Sequence, residues 1–298
     1  MINAQSVNNG RGALLLALAA AVFTGEVTVV RLLAGEASNG QVVFARAAVQ
    51  LVIVLGYILM TRPSLVKTGR PGLHLIRGLT SLLCWFFYYR SFQSLDIAMA
   101  TTLTFTTSLF VVVLAGPLLK EQVSKMRWAL TFLGFVGVVL AAGPSDIIEA
   151  EFNLGILYGL IAALAAAALV FLNRVLTRSE STPTIMLYIG LITTIGAMPG
   201  VINDWRPLDP ELVGMLFLSG GLGTIGMILT VEAYRIGEVS ALAPYPYLRI
   251  AFAIVVGFFL FQEFPNIEAL IGTGIIVFSA LATRGGEPKR RGLSAPMR

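Results

Sequence analysis

Apolar residues in this chain gather into runs of about 17 to 25, the length a helix needs to cross a hydrocarbon core roughly 30 Å thick. Ten such runs are predicted, at 13–33, 41–60, 73–92, 97–118, 126–143, 153–175, 184–202, 211–235, 240–261 and 266–283. Short polar stretches rich in Gly, Pro and Ser separate them, among them EASNG, TRPSLVKTGRPG, KEQVSKMR and NDWRPLDPE. None of these is long enough to fold as a soluble domain. The first run could pass for a signal peptide, but it continues through Glu26 to Leu33 and only Arg11 precedes it.

Composition changes the picture only by naming the solvent. Hydrophobic residues make up 56% of the 298 and charged residues 12%, about half the charged share of an ordinary soluble domain, and mean hydropathy is +0.83. The expected class is an all-α polytopic membrane protein whose environment is a lipid bilayer. The single cysteine, Cys84, precludes an intrachain disulfide framework, and with His74 as the lone histidine no metal site is expected. The net charge of +5 is not gathered into a basic patch with interleaved aromatics, so no nucleic-acid partner is expected. The bases mark topology instead. They follow the even-numbered runs, at Arg62, Lys67 and Arg70, at Lys120, Lys125 and Arg127, at Arg174 and Arg178, and at Arg284, Lys289, Arg290 and Arg291, whereas the alternate connections are poor in bases or acidic. The positive-inside rule then puts both termini in the cytoplasm of a cell whose plasma (inner) membrane holds the chain.

An internal repeat is the strongest pattern. A shift of 142 residues lays Phe92 on Tyr234, Asp96 on Glu238, and Glu121 of LLKEQ on Glu263 of LFQEF. Five runs match five runs. Because five is odd, the second copy enters the bilayer upside down, and the loop charges agree: KEQVSKMR is basic, its counterpart QEFPNIE has no Lys or Arg. Inverted repeats of this kind surround a midplane site that opens alternately to either side.

Ten helices in two halves, FAR at Phe44 to Arg46, the short SLD turn echoed between runs 8 and 9, and a glutamate ending runs 4 and 9 together resemble the drug/metabolite transporter superfamily. The chain is similar to its EamA-type exporters, and within them to the aromatic amino-acid exporter group called YddG. The resemblance covers about 11 to 284. It implies a basket-like bundle in which helices 1–4 and 6–9 surround a cavity and helices 5 and 10 lie outside, and it implies metabolite export by alternating access. The expected organisation is a first repeat at 11–143, a second at 153–283 and a basic tail at 284–298; nothing in the pattern requires more than one chain.

The ninth run raises the sharpest chemical question, because SALAPYPYLRIAF places Pro244, Pro246 and Arg249 where hydrocarbon should surround them. Arg249 is nine residues in, about 13.5 Å along a helix and close to the midplane. The prolines remove two backbone donors and predict a break. Tyr245, four residues earlier, shares the face of Arg249 in a regular helix. Two readings stand: the guanidinium holds a substrate carboxylate bidentately, or it staples helices by pairing with Glu26 or Glu232. In the fourth run, Thr101, Thr104 and Ser108 put hydroxyls on one face, for a polar ligand or for helix packing. Trp85, Tyr88 and Tyr89 of the third run form either a pocket for an apolar side chain or part of the interfacial aromatic belt. Glu26 and Glu232, the acids well inside the runs, are candidates for carrying a coupled proton or for permanent counter-ions. Arg46 is a gate or pairing candidate close enough to one end to snorkel, and His74 reads as a boundary residue. GLGTIG satisfies the dinucleotide fingerprint literally, but it sits inside an apolar helix, so its glycines are assigned to helix packing and no cofactor is expected.

These features favour a secondary transporter over an intramembrane enzyme, for which no catalytic cluster exists, and over a structural or receptor-like protein, which requires no repeat. Among substrates, an amino acid, aromatic or otherwise apolar, competes with phosphorylated or nucleotide-linked sugars. The latter call for several bases at depth, and Arg249 is nearly alone in the pattern.

Overall fold

A computed structural model describes residues 7–33, 35–95, 102–142, 154–262 and 264–285, with the backbone alone at 89, 92–94, 284 and 285. The connection between the two expected repeats, the basic tail beyond 285, Asp96 and Glu263 lie outside the described residues. The helices are α1 Asn9–Leu32, α2 Asn39–Thr61, α3 Pro71–Ser94, α4 Thr107–Leu119, α5 Lys125–Ala142, α6 Leu154–Leu176, α7 Thr182–Asn203, α8 Pro210–Ile236, α9 Leu248–Phe261 and α10 Ile267–Gly285. Counting the turns that extend α4 from Thr102 and α9 from Val239, eight of the described helices are long and apolar enough to cross a membrane; the apolar stretch of α10, Ile267–Thr283, is shorter, and α3 is long enough but less apolar.

Local sequence explains where the helices start and stop. Ser38 and Gln41 form a capping box at the head of α2, the Gln41 amide N–H reaching the Ser38 hydroxyl at 3.2 Å and the Ser38 N–H reaching Oε1 of Gln41 at 3.0 Å. Asn8, Ser181 and Asp209 cap α1, α7 and α8. Prolines at the first or second position open α3, α7 and α8, where the missing N–H costs nothing. At the other end, α4 and α9 both finish in the left-handed region on a residue other than glycine, Lys120 at φ 58° and Gln262 at φ 55°. These two residues are 142 positions apart, so the repeat extends to an uncommon backbone conformation.

Helix packing carries the same symmetry. α1 packs chiefly on α8, α3 on α6, α2 on α7, α5 on α10, α4 on α6 and α9 on α1. Exchanging each helix for its mate five places on leaves this set unchanged, which is the expected signature of two inverted halves about an axis in the membrane plane. Glycines allow the antiparallel crossings to be close. A Cβ added to Gly40 in α2 falls 2.4 Å from the Gly200 carbonyl carbon in α7, and one added to Gly272 in α10 falls 2.5 Å from the Gly137 oxygen in α5. Small residues are how helices gain contact in lipid, where apolar burial alone does not draw them together.

The halves are also clasped at the end where α1 begins. Both oxygens of Glu121 accept backbone N–H groups, from Val239 and Ser240 at 2.9 Å each. Arg127 spans Glu238 at 2.6 Å and the Ser240 hydroxyl at 3.0 Å, and Asn9 accepts from the Glu238 N–H at 2.8 Å.

Candidate functional site

The span that holds Arg249 is broken in its first half. Val239–Leu242 makes one helical turn, Pro244 follows, Tyr245–Tyr247 forms a 3-10 turn around Pro246, and regular helix resumes at Leu248. Two prolines in three residues cannot supply the ladder donors a continuous helix requires. The break changes the expected geometry. Tyr245 is buried in an apolar cluster with Leu16, Val111, Ala115 and Phe171, so it is not delivered to the face of Arg249 by a regular i, i+4 turn. Tyr247 instead fixes the broken segment to the outer helices: fully buried, it packs on Phe105 at 5.8 Å between centroids and clusters with Val138 and Ile276.

Arg249 emerges from this break near the middle of the Val239–Phe261 span. Its guanidinium carbon lies 5.5 Å from the Phe23 ring centroid, and Thr24, bonded to the Ala20 carbonyl at 2.9 Å, also lies 3.4 Å from the Arg249 carbonyl. Neither anticipated counter-ion pairs with it directly among the described residues. Glu26 is ion-paired with Nε of Arg46. Glu232 sits in the last turns of α8, where it accepts from the Thr182 hydroxyl and pairs with Arg235 at 3.3 Å, at the α6–α7 junction. Among the described residues the Arg249 guanidinium has a ring for a neighbour and no carboxylate in ion-pair contact, although the charge of Glu26 reaches it.

The pair at Arg46 is built with care. Its guanidinium lies 5.9 Å from the Phe23 centroid and 5.5 Å from that of Trp85, so Phe23 sits between two arginines, a placement that the face of an aromatic ring favours. Room for the pair comes from α8. A Cβ on Gly223 falls 2.8 Å from both Arg46 Nε and Glu26 Oε1, one on Gly226 falls 2.8 Å from the Phe23 ring, and one on Gly220 falls 2.6 Å from Val49. Gly223 and Gly226 of the discarded dinucleotide motif, with Gly220 just before it, thus form a groove at a spacing of three that receives the site, whereas Gly221 of the motif faces away. Arg46 does not snorkel to the nearer end. Half-burial against Trp85 and pairing with Glu26 hold it at the centre.

Trp85 and Tyr88 form an edge-to-face pair at 5.6 Å and belong to this centre rather than to an interfacial belt, because Trp85 touches Arg46 and Tyr88 is among the groups whose fields reach Arg249. The Tyr89 side chain and Thr101 lie outside the described residues. Ser108 is buried beside the Tyr247 phenol, so its hydroxyl serves packing. The Thr104 carbonyl accepts from Thr107, whose hydroxyl also lies 3.1 Å from the Ala163 carbonyl and joins α4 to α6.

Two residues carried no expectation, Phe23 inside this centre and Arg77 beyond it. Phe23 is three positions before Glu26, hence on its face, a cue the pattern does contain. Arg77 in α3 is 2% exposed and among the described residues bonds to Asn173 and Ser81.

What the arrangement offers is a half-buried centre assembled from α1, α2, α3, α8 and α9, with an aromatic wall, one directly paired guanidinium and one with no carboxylate in ion-pair contact among the described residues. Known proteins with similar chains carry small metabolites across membranes. An S-adenosylmethionine uptake transporter of Rickettsia bellii is 29% identical over 243 residues, 81% of this chain and 82% of that protein. A riboflavin transporter of Vibrio cholerae is 26% identical, covering 84% of both chains, and a pseudopaline exporter of Pseudomonas aeruginosa is 24% identical over 91% of this chain and 95% of its own. One solved crystal structure superposes on 93% of this chain and 98% of its own with a TM-score of 0.73 at 17% identity, a likeness of fold alone. The model of the EamA-like transporter family matches residues 10–143 and again 153–284, and the chain therefore belongs to that family, a transporter of small metabolites and not an enzyme.

Proposed function

We propose that this chain exports small metabolites bearing an α-amino-acid head, free amino acids with apolar or aromatic side chains among them, by alternating access around the centre just described. The observation that carries the reading is Arg249. A guanidinium near the middle of a membrane span is costly without an anion, roughly 2.5 to 3.5 kcal/mol even on insertion scales, and both nearby candidate carboxylates are committed to other arginines. A substrate carboxylate supplies the missing partner in the bidentate geometry that a guanidinium prefers. Trp85, Tyr88 and Phe23 supply flat apolar surface for a side chain or ring. The relatives add support: S-adenosylmethionine, named for one of them, joins an amino-acid head to an aromatic base, and an exporter stands among the others.

The test is uptake into proteoliposomes of a labelled panel comprising phenylalanine, leucine, methionine, S-adenosylmethionine and riboflavin, with and without a pH gradient. Saturable transport of the amino-acid members, competed by one another and not by their amides, is the expected result. Transport of riboflavin alone, or equal competition by acid and amide, defeats the reading.

Orientation follows from the distribution of bases, with both termini in the cytoplasm of the plasma membrane. In a Cys84-free background, cysteines at the exposed positions Glu36 and Glu268 are expected to react with an impermeant thiol reagent from outside intact cells, and those at Ser64 and Ser179 are not. The opposite pattern reverses the orientation.

A further inference from the structure

Arg77 is a buried cation that the carboxylate site does not use. It lies eight residues before Trp85 on α3, about 12 Å along the helix, and is 2% exposed. Its Nε donates to Oδ1 of Asn173 at 2.9 Å and its Nη1 donates to the Ser81 hydroxyl. Neither partner is charged. Because a guanidinium has no lone pair to offer, Asn173 must present its oxygen, which leaves its amide N–H groups without a partner among the described residues. Ser81, accepting from Arg77, keeps its own proton to donate, and Nη2 of Arg77 has no described partner either. The N–H and O–H groups left over in this buried cluster therefore ask for an acceptor. One turn earlier His74 is buried too, stacked on Tyr188 at 4.5 Å, with both ring nitrogens unpartnered.

Charge points the same way. The field of Arg46 reaches both Arg77 and Arg249, and Glu26, whose charge also reaches Arg249, is in ion-pair contact with Arg46 alone, so three guanidiniums share this one carboxylate. Glu180, the other buried carboxylate among the described residues, is engaged elsewhere, accepting from the Thr68 hydroxyl at 2.7 Å and the Gly69 N–H at 3.2 Å. Donors without acceptors, and cations without anions, are both expensive away from water.

We infer that Arg77, Asn173 and Ser81 form a second anion subsite, and that the preferred cargo is an amino-acid-type molecule with a further carboxylate set well away from the first. The inference rests on the reading that Arg249 holds the first. It revises the view from sequence that Arg249 is nearly alone at depth.

A matched pair of probes tests it: 2-aminooctanoate and 2-aminosuberate, which share an eight-carbon chain and differ in the terminal carboxylate of the second. Binding to purified protein should be at least about tenfold tighter for the diacid, the worth of one charge-assisted contact. Arg77→Met should erase that advantage while leaving the monoacid within about twofold, and Arg77→Lys should keep part of it. Asn173→Asp, which places an internal anion on Arg77 at nearly constant shape and guards against a folding defect in the Met variant, should also erase it. Equal affinities in the wild type, an advantage that survives both Arg77→Met and Asn173→Asp, or a loss shared by both probes overturns the subsite. If monoacid binding depends on Arg249 and the diacid gains nothing, only this inference falls. If neither probe binds, the Arg249 reading falls with it.

Discussion

Arg249→Met should abolish transport and leave the protein inserted, folded and at least as heat-stable in detergent as the wild type. The reason lies in what Arg249 does not touch: with no carboxylate partner among the described residues, its removal strands no opposite charge, and it takes a costly cation out of the interior. A charge-assisted hydrogen bond is worth about 1.5 to 3 kcal/mol, so substrate binding should weaken roughly ten- to a hundredfold. Arg249→Lys keeps the charge and loses the fork, and should fall between the two. The informative measurement is a cycle of acid against amide and Arg against Met. The amide should bind poorly to the wild type and lose little more on mutation. A coupling energy near zero, or a melting temperature that drops for Met, would mean that Arg249 staples the fold.

Glu26→Gln should do the opposite, damaging the fold first. Its carboxylate neutralises Arg46 in a slot cleared by Gly223, and breaking a buried pair from one side typically costs about 3 to 5 kcal/mol because the other charge is left alone. A large fall in melting temperature is therefore expected for Glu26→Gln. Much of it should return in the double variant Glu26→Gln with Arg46→Gln, which buries two neutral amides. The paired geometry favours a standing counter-ion over a shuttle for the coupled proton. Should Glu26→Gln melt like the wild type yet lose its response to a pH gradient, the carboxyl is protonated in the resting protein and Glu26 becomes the proton carrier.

The architecture was legible in the chain because a bilayer admits few solutions: apolar runs of spanning length must be helices, and a shift of 142 residues that matches LLKEQ to LFQEF must relate two halves. The left-handed caps at Lys120 and Gln262 carry that match down to single dihedral angles. Spacing along one helix did less well at the centre. The rule that joins Tyr245 to Arg249 assumes an unbroken α-turn, which Pro244 and Pro246 prevent. Glu232 read as an interior acid from its place in an apolar run, yet α8 ends so close to it that Arg235 and Thr182 take it. The partnerships that define the site, Glu26 with Arg46 and Phe23 with two guanidiniums, join different helices, from neighbouring α1 and α2 to distant α1 and α9, and no periodicity within one helix reports them. Arg77 was visible as a charge within an apolar run, but its weight depends on Asn173, 96 positions away.

The packing of every helix against the opposite half bears on how the molecule is made. When α1 to α5 have left the ribosome, the surfaces meant for α6 to α10 still face lipid: α1 awaits α8, α3 awaits α6, α2 awaits α7 and α5 awaits α10. Insertion and assembly are then separate in time, and an Arg77 or Arg46 already in the bilayer must wait for chain not yet synthesised to be sheltered. The same arrangement means that the two halves, produced as separate polypeptides, should find each other as a heterodimer held by the full set of these contacts. A single ancestral five-helix chain could have formed the whole pore as a pair only by inserting in both orientations. Fusion of two copies in tandem removes that requirement, because the odd number of spans turns the second copy over automatically.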